Sequence, residues 1–256
     1  MALTALLFDI DSAFAETEEA HRESFNAAFQ DHGFPWIWDR ALYGDLLGVT
    51  GGKERIRHYL SRFQPELLKT AGIENTIRSL HEAKNRGYWS AISRGAVTLR
   101  PGIRRLIVDA RHGGLRLAIA TTTSLRSVRE LLVGTLGPDS PGWFDAIVGG
   151  DMVAAKKPAP DIYSLALDKL GLAPNACMAF EDSANGLQSA LGARIPTLIT
   201  VSAYTIGQDF TGAMAVLSDL GEPGTPFRIF RGDPRGEDVV SLNLLRHWHQ
   251  AATSPA

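Results

Sequence analysis

Asp9 and Asp11 stand two residues apart, directly after the apolar run of residues 3–8. Three more apolar runs lead into polar residues in the same way. Residues 115–120 lead into Thr121-Thr122-Thr123-Ser124, and residues 178–180 into Glu181-Asp182-Ser183. Lys157-Pro158 follows the run at 145–148 after a short loop. A carboxylate is a workable nucleophile, and covalent capture divides one difficult displacement into two easier ones. A second carboxylate two residues on can protonate a leaving oxygen and later take a proton from water. Gathered carboxylates repel one another without a cation, and oxygen donors of this kind suit Mg²⁺. The metal and a lysine offset charge on phosphoryl oxygens, while a threonine hydroxyl and backbone N–H groups hold the rest. The set fits phosphoryl transfer. Each residue alone has a plainer use: Asp-x-Asp is common at helix starts, and Ser124 suits a helix N-cap. Glu181-Asp182-Ser183 can cap the helix through Asn185, and a single lysine is ordinarily solvated. Their joint order after four apolar runs favours one site.

That site needs a scaffold delivering all four segments to one edge. Residues 3–8, 115–120, 145–148, 178–180 and 196–201 read as strands. Their near-continuous apolar character predicts strands covered on both faces, as in a parallel sheet. Residues 124–136, 161–171 and 185–192 between them carry helical spacing and end near glycine. The alternation predicts a doubly wound α/β domain, whose strands point their carboxyl ends at a ligand crevice. Residues 16–95 break the rhythm, with helical segments at 16–32, 52–63 and 66–86 and no strand. They predict an inserted helical domain, leaving residues 1–15 and 96–256 as the α/β core. The tail from Gly221 reads as a loop followed by a docking helix over 238–250.

The formal charge is −2 over 256 residues and the pI near 6.4. That balance gives no global attraction to nucleic acid or an anionic membrane, so any phosphate recognition is local. The single cysteine, Cys177, opens an apolar run; it is expected to be a core thiol in a reducing cytoplasm. No run approaches the ~20 apolar residues of a membrane helix, and no signal peptide is expected.

The chain resembles the haloacid dehalogenase superfamily of phosphatases over about residues 3–215, and within it the CbbY-type sugar-bisphosphate phosphatases, relatives of β-phosphoglucomutase. The likeness is carried by Leu7-Phe8-Asp9-Ile10-Asp11, Ala15-Glu16-Thr17-Glu18-Glu19-Ala20-His21, Thr50-Gly51-Gly52-Lys53-Glu54-Arg55, Leu99-Arg100-Pro101-Gly102, Ala120-Thr121-Thr122-Thr123-Ser124, Lys156-Lys157-Pro158-Ala159-Pro160-Asp161-Ile162-Tyr163 and Glu181-Asp182-Ser183-Ala184-Asn185-Gly186. It implies Asp9 as nucleophile, Asp11 as general acid/base, Thr121 on the transferring phosphoryl group and Lys157 bridging that group to Asp9. It implies Mg²⁺ on Asp9, the Asp11 backbone carbonyl and Asp182, with Glu181 in support. The helical insert would be a cap over a small phosphosugar, with Glu18, His21, Tyr43, Lys53 and Arg55 as its substrate ligands and Arg100 and Thr122 on the core side. A pentulose bisphosphate such as xylulose 1,5-bisphosphate is the substrate implied, handled by a monomer in the cytoplasm, or in the plastid stroma of a photosynthetic eukaryote. Where the family has Asp-Gly-Thr-Leu this chain has Asp11-Ser12-Ala13-Phe14. Glycine takes backbone angles that serine resists, so a strained turn is expected at Ser12. A mutase returning the phosphoryl group to another hydroxyl shares the same core residues. A phosphosugar-binding protein with weakened catalysis is the reading that Ser12-Ala13 leaves open. A signalling receiver domain also uses acids, threonine, lysine and Mg²⁺, but the helical insert and Asp11 argue against it.

Overall fold

In a computed structural model describing residues 2–254, the chain forms two units: Met1–Glu16 with Thr98–Ala256, and Thr17–Val97. The first opens with β1 (Ala5–Phe8), buried at every residue. The second unit holds α1 (Glu18–Asp31), α2 (Arg40–Leu46), α3 (Gly52–Phe63) and α4 (Ile73–Ser93). The first unit resumes with α5 (Ile103–His112), β2 (Arg116–Ala120), α6 (Leu125–Leu136), β3 (Ala146–Val148) and α7 (Asp161–Leu170). It continues through β4 (Cys177–Glu181), α8 (Ala184–Gly192), β5 (Thr197–Thr200), β6 (Ala215–Leu217), β7 (Ile229–Arg231) and α9 (Leu242–Thr253).

The sheet runs β3-β2-β1-β4-β5-β6-β7, parallel except for the antiparallel β6–β7 pair. The doubly wound α/β core is therefore present. Its strand order reverses between β1 and β4, the place where such sheets open a crevice. Register aligns the edge: Phe8 pairs with Ile119 of β2 on one side and Phe180 of β4 on the other. Alternation gives each strand two apolar faces. One carries small residues, Ala5, Leu7, Ala118, Ala120, Cys177 and Ala179, packed with Ile162, Tyr163 and Ala166 of α7. Phe8 and Phe180 belong to the other face, stacked at 4.6 Å between ring centroids.

Several elements differ from the sequence reading. The helix expected over 66–86 is a 3₁₀ turn, Leu67–Lys69, followed by α4, which begins after Gly72 and runs to Ser93. The tail beyond Gly221 is more than a loop and a helix, since it adds β7 to the sheet. Its helix starts at Leu242, where the Ser241 side chain accepts a bond from the Leu244 N–H and closes the first turn. Strands β6 and β7, three residues each, were not among the strands expected from the sequence. Helices α2 and α5 likewise go beyond the elements read from the sequence.

The helical unit is built on aromatic packing. Trp38 is fully buried, with ring centroids 4.7 Å from Phe25, 4.8 Å from Phe29 and 5.4 Å from Tyr59. Asn26 holds the Trp38 backbone from both sides, accepting from its N–H at 2.8 Å and donating to its carbonyl at 2.9 Å. Asn26 thus fixes the irregular segment around Trp38 against α1.

Candidate active site

Asp9 is the first residue past β1, and its N–H still donates to the Phe180 carbonyl at 3.0 Å. The ladder therefore fixes where the carboxylate leaves the sheet. Lys157 enters from the loop after β3, through a cis Lys157–Pro158 peptide. Its Nζ lies 2.6 Å from Asp9 Oδ1 and 2.6 Å from Glu181 Oε1, with all three side chains buried. Tyr163, on the first turn of α7, donates its hydroxyl to the same Glu181 oxygen at 2.5 Å.

Burial lifts the Asp9 carboxyl to about 7, against the pull of the Lys157 ammonium and with the repulsion of Glu181 and Asp11. Burial also works against the Lys157 cation, but Asp9 and Glu181 outweigh it and hold that group above the ordinary lysine range. Burial and the Glu181 charge push the Tyr163 phenol well up, so it remains a donor.

Asp9, Glu181 and Asp182 each offer a carboxylate oxygen within 4.8 Å of the others, and all three are buried. Three hard oxygen donors gathered this closely fit a divalent cation of the Mg²⁺ and Ca²⁺ kind. Ser202, just past β5, donates to Asp182 Oδ2 at 3.3 Å and also bonds the Thr205 hydroxyl at 3.1 Å. Gly186 in α8 makes room for this cluster. A Cβ there would fall 1.8 Å from Glu181 Oε2, a distance no side chain tolerates.

Asp11 is half-buried, and the Thr123 hydroxyl donates to its Oδ2 at 2.5 Å. Thr121 is fully buried; its N–H donates to the Val148 carbonyl at 3.1 Å and its Oγ1 accepts from the Thr123 N–H at 3.3 Å. Thr122 is half-buried beside it, and Ser124 caps α6 by accepting from the Ser127 N–H. The sheet thus brings Asp9, Asp11, Thr121, Thr122, Lys157, Glu181 and Asp182 to one edge. Tyr163, Thr123 and Ser202 join them, although the sequence had assigned none of the three a role. Tyr163 stood only as the last residue of the segment opening at Lys156, and Ser202 only as a loop serine.

Ser12 takes a left-handed conformation, φ 61°, and is 2% exposed. A side chain there costs roughly 1–2 kcal/mol, so the turn expected to be strained is strained. Arg100, read as a substrate ligand, is placed otherwise. Its guanidinium is buried and donates to the carbonyls of Ser12, Val201 and Ser218, within the α/β unit.

In the helical unit, Tyr43 is buried and donates to Glu18 Oε2 at 2.7 Å, while Arg55 donates to the Tyr43 hydroxyl at 3.3 Å and to the Leu46 carbonyl at 3.2 Å. Glu18, Tyr43 and Arg55 therefore form one network. The His21 ring lies 3.9 Å from that of Tyr88. Lys53 is exposed in the first turn of α3.

Residues 3–194 match the haloacid dehalogenase-like hydrolases. The chain belongs to that family. This haloacid dehalogenase-like hydrolase is 43% identical over 249 residues to protein CbbY of Cupriavidus necator, a match covering 96% of this chain and 97% of that one. It superposes on CbbY of Rhodobacter sphaeroides, solved in complex with phosphate, with a TM-score of 0.79 at 43% identity, covering 88% of this chain and 97% of that one. A variant of that protein was solved in complex with xylulose-(1,5)-bisphosphate. A phosphorylated carbohydrates phosphatase of Thermotoga maritima is 29% identical over 199 residues, 78% of this chain and 85% of that one. The hydrolase described here is a phosphatase. No helix among its described residues is long and apolar enough to cross a membrane.

Proposed function

We propose that this phosphatase hydrolyses a phosphorylated sugar through an aspartyl-phosphate on Asp9, with Mg²⁺, and that its substrate is a pentulose bisphosphate such as xylulose 1,5-bisphosphate. The observation that carries the mechanism is Lys157 held 2.6 Å from Asp9 at the sheet's switch point, beside the three-carboxylate cluster. The substrate class rests on the likeness to CbbY proteins.

In this reading an Asp9 oxygen attacks phosphorus as the bond to the sugar oxygen breaks, and Asp11 gives that oxygen its proton. Asp11 then takes a proton from the water that cleaves the acyl phosphate, which restores both carboxyl groups. Thr121 and Lys157 hold the phosphoryl oxygens, and Thr123 keeps Asp11 in place between steps. Asp9, Asp182 and Glu181 would hold the Mg²⁺, which neutralises charge on the phosphoryl group when bound. The helical unit would act as the cap that selects the sugar, through Glu18, Tyr43, Arg55 and Lys53. The working unit in this reading is a monomer. Burial pushes the Cys177 thiol up to about 11, which suits an inert core thiol in a reducing cytoplasm.

The test is phosphate release from a panel of sugar mono- and bisphosphates, with Mg²⁺ and with a chelator. Xylulose 1,5-bisphosphate should lead the panel, and activity should vanish with the metal. Asp9→Asn should abolish turnover with the fold retained. Steady turnover by that variant would end the aspartyl-phosphate reading.

A further inference from the structure

One buried side chain meets the turn that carries Asp11 and has no part in the mechanism above. Arg100 is 5% exposed, and its Nη1 donates to the Ser12 carbonyl at 2.8 Å. Its Nη2 donates to Val201 at 2.8 Å and also to the Ser218 carbonyl. One planar fork therefore ties the turn leaving β1 to the residues just past β5 and β6. The backbone reinforces the tie, since the Arg100 N–H donates to the Phe14 carbonyl at 3.0 Å and the Ser12 N–H to the Ala15 carbonyl at 3.0 Å. The Glu16 carboxylate, 3.4 Å from Nη1, partly balances the buried charge. The turn needs such a hold because Ser12, with φ 61°, occupies a conformation that a side chain disfavours.

We propose that Arg100 is a positioning residue, holding the left-handed Ser12 turn and through it Asp11 at the carboxyl edge of the sheet. The inference rests on Asp11 being the general acid/base. Lysine offers a single ammonium where arginine offers a fork, so it cannot reach three carbonyls at once. Glycine at position 12 takes the left-handed turn unaided. The need for Arg100 is thus coupled to the side chain at Ser12.

The experiment compares wild type, Arg100→Met, Arg100→Lys and Ser12→Gly with the two double variants, reading phosphate-release kinetics and thermal unfolding. Displacing a catalytic group slightly lowers turnover by up to ~100-fold. Arg100→Met should therefore lower kcat about 10–100-fold with KM changed less than about threefold, and Arg100→Lys should recover part of the loss. In the Ser12→Gly background the same replacements should lower kcat less than about threefold. A rise in KM with kcat preserved would mean that Arg100 meets substrate, and equal kcat losses in both backgrounds would mean no coupling to the turn; either overturns the proposal. If Arg100→Met does not fold, Arg100→Lys carries the same comparison. Asp11→Asn separates the two claims: full activity there removes the acid/base reading and with it the catalytic role of Arg100. The Ser12–Arg100 coupling would then still be read from the melting temperatures.

Discussion

At the residue scale the buried pair of Asp9 and Lys157 sets the electrostatics of the site. Burial holds the Asp9 carboxyl at about 7, far above the value near 3.8 of an exposed aspartate. Between those two values the native state keeps a proton that the unfolded chain has released. Stability of the metal-free protein from this group is therefore greatest below about pH 4 and is lost as pH rises through about 7. Urea melts of chelator-treated protein across that window should show the decline, with Asp9→Asn flattening it. A cation on Asp9 must displace the same proton. Calorimetric Mg²⁺ titrations at pH 7 in buffers of different ionisation enthalpy should therefore report proton release, falling toward zero near pH 9. Tyr163→Phe removes one donor from Glu181 and keeps the ring. A hydrogen bond to a charged group is worth about 1.5–3 kcal/mol, so denaturant melts should show a loss of that order.

At the element scale the first turns of two helices do different work. Helix α8 starts against the acidic cluster, and Gly186 leaves the space that Glu181 fills. Gly186→Ala should displace the Glu181 carboxylate, weaken Mg²⁺ binding by about tenfold or more, and lower the melting temperature. Unchanged metal affinity would show that the carboxylate moves aside freely. Helix α3 begins after Gly51, at φ 98°, and presents Lys53 to solvent while Arg55 turns to Tyr43. A bisphosphate has a second anionic end, and charge-assisted bonds to it contribute roughly 1.5–3 kcal/mol each. Lys53→Ala should raise KM for bisphosphates by about tenfold, spare monophosphates, and leave stability within about 0.5 kcal/mol. Arg55→Ala should raise the same KM and also lower stability, because it removes the donor to Tyr43 and the Leu46 carbonyl. Equal losses of both variants on mono- and bisphosphates would remove these residues from substrate choice.

At the scale of the whole molecule the C-terminal tail belongs to the α/β unit. Arg105 donates to the carbonyls of Leu220, Gly221 and Val240, at 2.9–3.0 Å, and so pins both ends of the tail's loop. Helix α9 then buries Leu244, Leu245 and Trp248. Each such side chain contributes roughly 1.5–3 kcal/mol when removed from water. Deleting residues 241–256 should therefore lower stability by several kcal/mol. A deletion that melts like the full chain would make the tail an appendage.

The apolar runs of β1 to β5 and the polar residues that follow them were legible from order alone, because a buried parallel strand must be apolar and its end is where polar groups reach solvent. That placed Asp9, Asp11, Thr121, Lys157, Glu181 and Asp182 at one edge, while the strained turn at Ser12 was expected only from the resemblance to a family that has glycine there. Strands β6 and β7 were not read, and β7, exposed along most of its length, is a strand only through its pairing with β6. The roles of Tyr163, Thr123 and Ser202 were hidden for a related reason. Each is an ordinary polar residue whose role depends on which carboxylate it meets, and that meeting crosses 18, 112 or 20 residues of chain. Arg100 shows the limit most clearly: the family resemblance offered it as a substrate ligand, but the fold surrounds it with three backbone carbonyls from distant segments. Residue type determines what a group can do, while the partner it does it with is decided by which segments the sheet brings together.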